Sequence, residues 1–254
     1  MSGLEIAGIG LIATFVGGLI GCVGIGGVLL VPSLYYLFAI PVHTGIAAAM
    51  VAYVFTGIVG TVIYARHGSV KWNMAFILFI SAGPAAFGGA VAVSVAPGKW
   101  LELLIACLIV IAGINALRKS GDQSDEAIPQ VATPKLLGMG ALTGVGSAMT
   151  GTGGPLILVP MAVWMGFPAL TAVGLSQAVQ LPIAVLATAG NITYGTMNWT
   201  VAVILSAAMI VGSAIGAKIA HAVPRERLRL FLAWVLVGVG LFFVSRLIYG
   251  QFFT

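Results

Sequence analysis

The chain has 254 residues, of which 60% are hydrophobic and 7% charged, with a formal net charge of +5. So few charges cannot cover the surface of a soluble domain of this size, and the composition points to a polytopic membrane protein. The positive balance is not a nucleic-acid footprint, because the basic residues fall at the ends of apolar runs, where membrane topology uses them.

In chain order, apolar runs predict helical segments at about 5–23, 26–40, 43–65, 73–95 and 99–118. A second set follows at about 135–150, 154–166, 169–190, 198–220 and 227–249. The fold expected is all-α, with about eight to ten spanning or half-spanning helices. No Lys or Arg precedes Arg66, so a cleaved signal peptide is not expected. Segments one and two meet at Gly24-Ile25-Gly26-Gly27, with Pro32 beyond. Segments six and seven meet at Gly151-Thr152-Gly153-Gly154, with Pro160 beyond. Segments two, six and seven are short for a hydrocarbon layer roughly 30 Å deep. Each glycine motif therefore reads as the tip of a helical hairpin or the gap in a broken helix. Cys22 and Cys107 lie in apolar runs and read as small buried hydrophobes.

The two motifs belong to a duplication. An offset of 127 residues superposes Pro41 on Pro168, Thr44 on Thr171, Thr61 on Thr188, Trp72 on Trp199 and Pro97 on Pro224. Charge sets the orientation of the halves. The loop Arg66 to Lys71 is basic and its counterpart Thr193 to Asn198 carries no charge. Around Pro97 stands Lys99 with Glu102, whereas Arg225, Arg227 and Arg229 crowd Pro224. Equivalent loops have exchanged their positive charge, which the positive-inside rule reads as opposite orientation. The expected organisation is a first membrane repeat over residues 1–118, a polar cytoplasmic linker over 119–134 and a second, inverted repeat over 135–254. Both termini then face outward across the cell (inner) membrane. Whether the chain forms a homo-oligomer is left open.

A helix that restarts after a glycine break leaves its first N–H groups unpaired and partly positive. Two such starts, near Gly27 and Gly154, facing each other make an anion site without formal charge. The candidate binding residues are Gly24, Gly26, Gly27, Thr150, Gly151, Thr152, Gly153 and Gly154. To these the sequence adds Ser176, Gln177 and Gln180, a polar cluster in the apolar run VGLSQAVQLP, and Tyr53, which stands where Gln180 stands in the other half. A helical spacing of three and four puts Gln180 on one face with Ser176 and Gln177. These amides need either a ligand or a neighbouring helix. Gly17, Gly18, Gly88 and Gly89 read as helix-packing residues.

No Asp or Glu lies in the middle of a segment, so carboxylate-based ion coupling is not expected. His43, His67 and His221 fall near segment ends without ligand spacing, so neither a metal site nor a cofactor is expected. No catalytic constellation appears, so an enzyme is not expected.

The twin strings GIGGVLLVP and GTGGPLILVP, each ending in proline, resemble the repeated signature of the sulfite exporter TauE/SafE family of permeases. The length and two-half layout resemble it too. That resemblance implies about eight helices and transport, often export, of sulfite or a small organosulfur anion such as sulfoacetate. The small-polar pair often found in the family's third segment stands here as Leu175-Ser176 and becomes Ala48-Ala49 in the first half. The expected activity is alternating-access export of a small anion. The alternative is a permease for another small solute or a metal cation.

Overall fold

The computed structural model describes residues 1–24, 26–117, 129–222 and 234. Among these the chain is all-α, without strands. The helices are α1 (Gly3–Val23), α2 (Leu30–Phe38), α3 (Val42–Arg66), α4 (Trp72–Val95), α5 (Gly98–Leu117), α6 (Thr133–Thr150), α7 (Pro155–Trp164), α8 (Ala169–Tyr194) and α9 (Trp199–Ala222). A 3-10 turn, Gly27–Leu29, leads into α2. The expected tenth segment at 227–249 apart from Trp234, residues 119–128 of the linker, and Arg225, Arg227 and Arg229 lie outside the described residues.

Five helices are long and apolar enough to cross a membrane: α1, α3, α4, α8 and α9. With that number of apolar helices, the chain is a multi-pass membrane protein. Only 9 and 10 residues long, α2 and α7 cannot cross alone.

Local signals set the helix ends. A capping box starts α1: the Ser2 hydroxyl accepts from the Glu5 N–H, and the Glu5 carboxylate accepts from the Ser2 N–H at 2.8 Å. Pro41 and Pro168, equivalent under the 127-residue offset, precede α3 and α8 in the same conformation, with φ −54° at both. Pro155 opens α7, where its missing N–H costs nothing.

Packing exchanges partners between the two sets of helices. The most extensive pairings are α1 with α9 and α4 with α6, followed by α4 with α8, α3 with α9 and α3 with α8. Small residues allow the close approaches. A methyl on Gly17 would lie 2.7 Å from the Met209 carbonyl oxygen, and one on Gly144 would collide with the Ala82 carbonyl. Likewise Gly216 packs against Gly18, and Gly89 against Val145. Within each of these two matched pairs of contacts, both partners are displaced by the same 127 positions. Gly17, Gly18 and Gly89 therefore pack as expected. Gly88 does not: it faces open space, with nothing within 4 Å of an added methyl. Cys107 is exposed on α5 rather than buried.

Candidate functional site: the crossing of two glycine breaks

Both breaks are real, and each lies against the other half. Gly24 (φ +78°) ends α1 and Gly151 (φ +66°) ends α6, left-handed positions that favour glycine. Their N–H groups bond back to the carbonyls of Ile20 and Ser147. A methyl on Gly24 would lie 3.1 Å from Pro155 Cβ and 3.6 Å from Ser176 Oγ. One on Gly151 would lie 2.7 Å from Val31 Cγ2, at the start of α2. Each break therefore backs onto the other half's short helix. Gly27 completes the crossing: an added methyl would sit 2.5 Å from the Thr152 carbonyl oxygen and 2.8 Å from the Tyr53 hydroxyl.

Tyr53, from α3, occupies the centre. Its hydroxyl reaches the carbonyl oxygens of Gly27 at 3.1 Å and Gly151 at 2.9 Å. Its ring lies flat against Gly153, where a methyl would come within 3.0 Å of the ring carbons. Gly153 and Gly154 both have positive φ, at +80° and +111°. Gly26 does not. Its φ is −102°, and glycine is needed there because a methyl would meet Leu19 Cβ at 2.6 Å.

The amides of α8 divide between two neighbours. Gln180 Nε2 donates to the Tyr53 carbonyl at 3.0 Å and to Thr56 Oγ1 at 2.7 Å. Gln177 Nε2 donates to the Ile20 carbonyl at 2.9 Å, at the end of α1, while its amide lies against Gly60 of α3. Because both acceptors include main-chain carbonyls, the NH2 groups must point at them, which fixes each Oε1. Both Oε1 atoms are buried without a partner. Ser176 Oγ donates to the Val173 carbonyl at 2.8 Å within its own helix. Thr150 Oγ1 donates to the Gly146 carbonyl at 2.6 Å and lies 3.1 Å from Thr152 Oγ1. The donors of the polar cluster thus serve helix–helix and local bonds, while its acceptors stay open.

The first-turn amides of Gly27 and Val28, and of Gly154 and Leu156, have no carbonyl of their own helix to bond, since the first bonds inside the turns belong to Leu29 and Ile157. Side chains at the crossing are closed off: Tyr53, Ser176, Gln177 and Gln180 are 0% exposed and Thr152 is 2% exposed.

Three residues at or beside the site were not singled out from sequence. Thr56 accepts from Gln180, Gly60 makes room for Gln177, and Thr143 lies beside Gly154 with Oγ1 buried and unpartnered. Helical spacing held a signal for Thr143, because Thr143, Ser147 and Thr150 share one face of α6. His43, near the start of α3, has a structural bond, Nε2 to the Ala96 carbonyl at 3.0 Å.

Residues 6–243 match the family described as Sulfite exporter TauE/SafE. Among curated relatives, the chain is 25% identical to a "Probable membrane transporter protein YdhB" of Bacillus subtilis (strain 168), over 92% of this chain and 98% of that one. It is 25% identical to "Probable membrane transporter protein YunE" of the same organism, over the full length of both. It is 27% identical to "Probable membrane transporter protein MJ0441" of Methanocaldococcus jannaschii, over 91% and 93%. No solved structure matches the chain.

Proposed function

The chain belongs to the Sulfite exporter TauE/SafE family of membrane transporters, and from that membership together with the crossing geometry we propose that it exports sulfite or a small organosulfur anion by alternating access. The observation that carries this reading is the convergence of two restarted helices, at Gly27 and Gly154, on one buried point around Tyr53. Their first-turn amides supply hydrogen-bond donors and partial positive charge to an oxyanion. The solute makes its contacts with Gly24, Gly26, Gly27, Tyr53, Thr150, Gly151, Thr152, Gly153, Gly154, Ser176, Gln177 and Gln180. No catalytic step and no metal enter this cycle.

Closure of the crossing on all sides means that α2 and α7 must shift for a solute to enter, first from one face and then from the other. Outward movement needs no coupling ion. An interior negative by 100 mV drives each negative charge out with about 2.3 kcal/mol. By the charge exchange between equivalent loops, both termini face the outside of the inner membrane and the linker faces the cytoplasm.

The test is efflux of labelled sulfite from liposomes holding the purified protein at a set membrane voltage. Efflux above protein-free liposomes that rises with inside-negative voltage supports the reading; its absence ends it. A second reading, a permease for a cationic or neutral hydrogen-bond donor, is favoured by the open Oε1 atoms of Gln177 and Gln180. Ammonium flux in the same liposomes, without sulfite flux, would establish it instead.

A further inference from the structure

The crossing holds unmatched hydrogen-bond acceptors as well as its unpaired first-turn amides. The carbonyls of Gly27 and Gly151 share the single O–H of Tyr53. Gln180 Oε1 is fully buried and unpartnered while its Nε2 is held by Tyr53 and Thr56. Gln177 repeats the pattern at the end of α1. Beside Gly154, the Thr143 hydroxyl, which can donate or accept, has no partner either. An unmatched buried polar group costs about 1–3 kcal/mol, so a ligand that donates a hydrogen bond relieves a standing cost.

Three kinds of solute can be compared against that arrangement. A fully deprotonated oxyanion satisfies the first-turn amides but has no hydrogen for the lone pairs, which repel it. A bare cation satisfies the lone pairs but meets the positive ends of α2 and α7. A monoanion that keeps one hydrogen meets both requirements, with its oxygens accepting from the amides and its hydrogen donated to Gln180 Oε1.

We propose that the transported species is such a hydrogen-bearing monoanion: for sulfite, the hydrogen-sulfite ion rather than the dianion, so that each cycle moves a proton on the substrate itself. This rests on the anion reading above and narrows it. It lets proton movement accompany transport in a chain with no carboxylate at its centre, and it sets the charge moved per cycle at a single negative unit.

The experiment measures labelled sulfite flux in the same liposomes over a pH series spanning neutrality, with equal pH on both sides at the start, a clamped voltage and a lumenal pH dye. At constant total sulfite the initial rate should fall about tenfold per pH unit on the alkaline side, and the dye should record one proton moving with each sulfite. Methanesulfonate, a monoanion of similar size with no ionisable hydrogen, should neither move nor compete. Flux that stays level or rises with pH, or methanesulfonate carried as well as sulfite, overturns the proposal and leaves the anion reading standing. No sulfite flux at any pH overturns both. In Gln180→Leu the preference for hydrogen sulfite over methanesulfonate should narrow; an unchanged preference removes Gln180 from the recognition. Should that variant not fold, the series on the unaltered protein still decides.

Discussion

Gln180 Nε2 donates to the main-chain carbonyl of Tyr53 at 3.0 Å, across a separation of 127 residues, the offset that superposes the two glycine motifs. Each residue therefore touches its own counterpart. The residues differ chemically there: the tyrosine hydroxyl gathers the two glycine carbonyls, and the glutamine holds the tyrosine from behind.

Tyr53→Phe removes the hydroxyl and leaves the ring against Gly153. The Gly151 carbonyl then loses the tyrosine donor and the Gly27 carbonyl keeps only the Leu30 N–H, which should cost about 1–3 kcal/mol. The expected outcome is a lower unfolding temperature in detergent together with reduced flux. An unchanged melting temperature would show that the carbonyls find other donors.

Gly60 and Gln177 should be coupled. A methyl on Gly60 would lie 2.8 Å from Gln177 Cδ, so Gly60→Ala pushes the amide off Ile20. We expect Gly60→Ala to destabilise by about 1–3 kcal/mol and to do so much less in a Gln177→Ala background. A double-mutant cycle on thermal or denaturant unfolding reads the difference. Additive effects would mean that the two side chains do not share space.

Glycines on packed and open faces should respond oppositely to alanine. Gly17→Ala drives a methyl onto the α9 backbone at Met209 and should destabilise by about 1–3 kcal/mol. Gly88→Ala meets nothing and should stabilise by about 0.5–1 kcal/mol through reduced chain entropy. Melting temperatures of the two variants should move apart from that of the parent in opposite directions.

The proposed orientation is checked with single cysteines in a background where Cys22 and Cys107 are alanine. A membrane-impermeant maleimide should label Ser2→Cys in intact cells, and Gln123→Cys only after lysis. Labelling of both in intact cells contradicts the charge-based topology.

The glycine breaks were legible because their signals are local. Gly24 and Gly151 take left-handed positions that end a helix, Pro155 suits a first turn, and Pro41 and Pro168 restart the long helices. The polar cluster was legible as needing partners. Which partners was not, since Gln177 bonds a carbonyl 157 residues away and composition does not foretell that approach. Gly60 reads in sequence as one more small residue in α3, and only the incoming amide gives it a purpose. Gly26 was picked out as part of the break and as a candidate solute contact; glycine is required there by Leu19 rather than by its own dihedral angle.

The crossed pairing of α1 with α9 and of α4 with α6 has a consequence for how the chain is made. The ribosome delivers α1 to the bilayer long before α9 exists, so its glycine-lined flank must wait against lipid for a late arrival. Neither half can bury its small residues alone. Two halves expressed from separate messages should therefore be degraded singly and survive only when synthesised together.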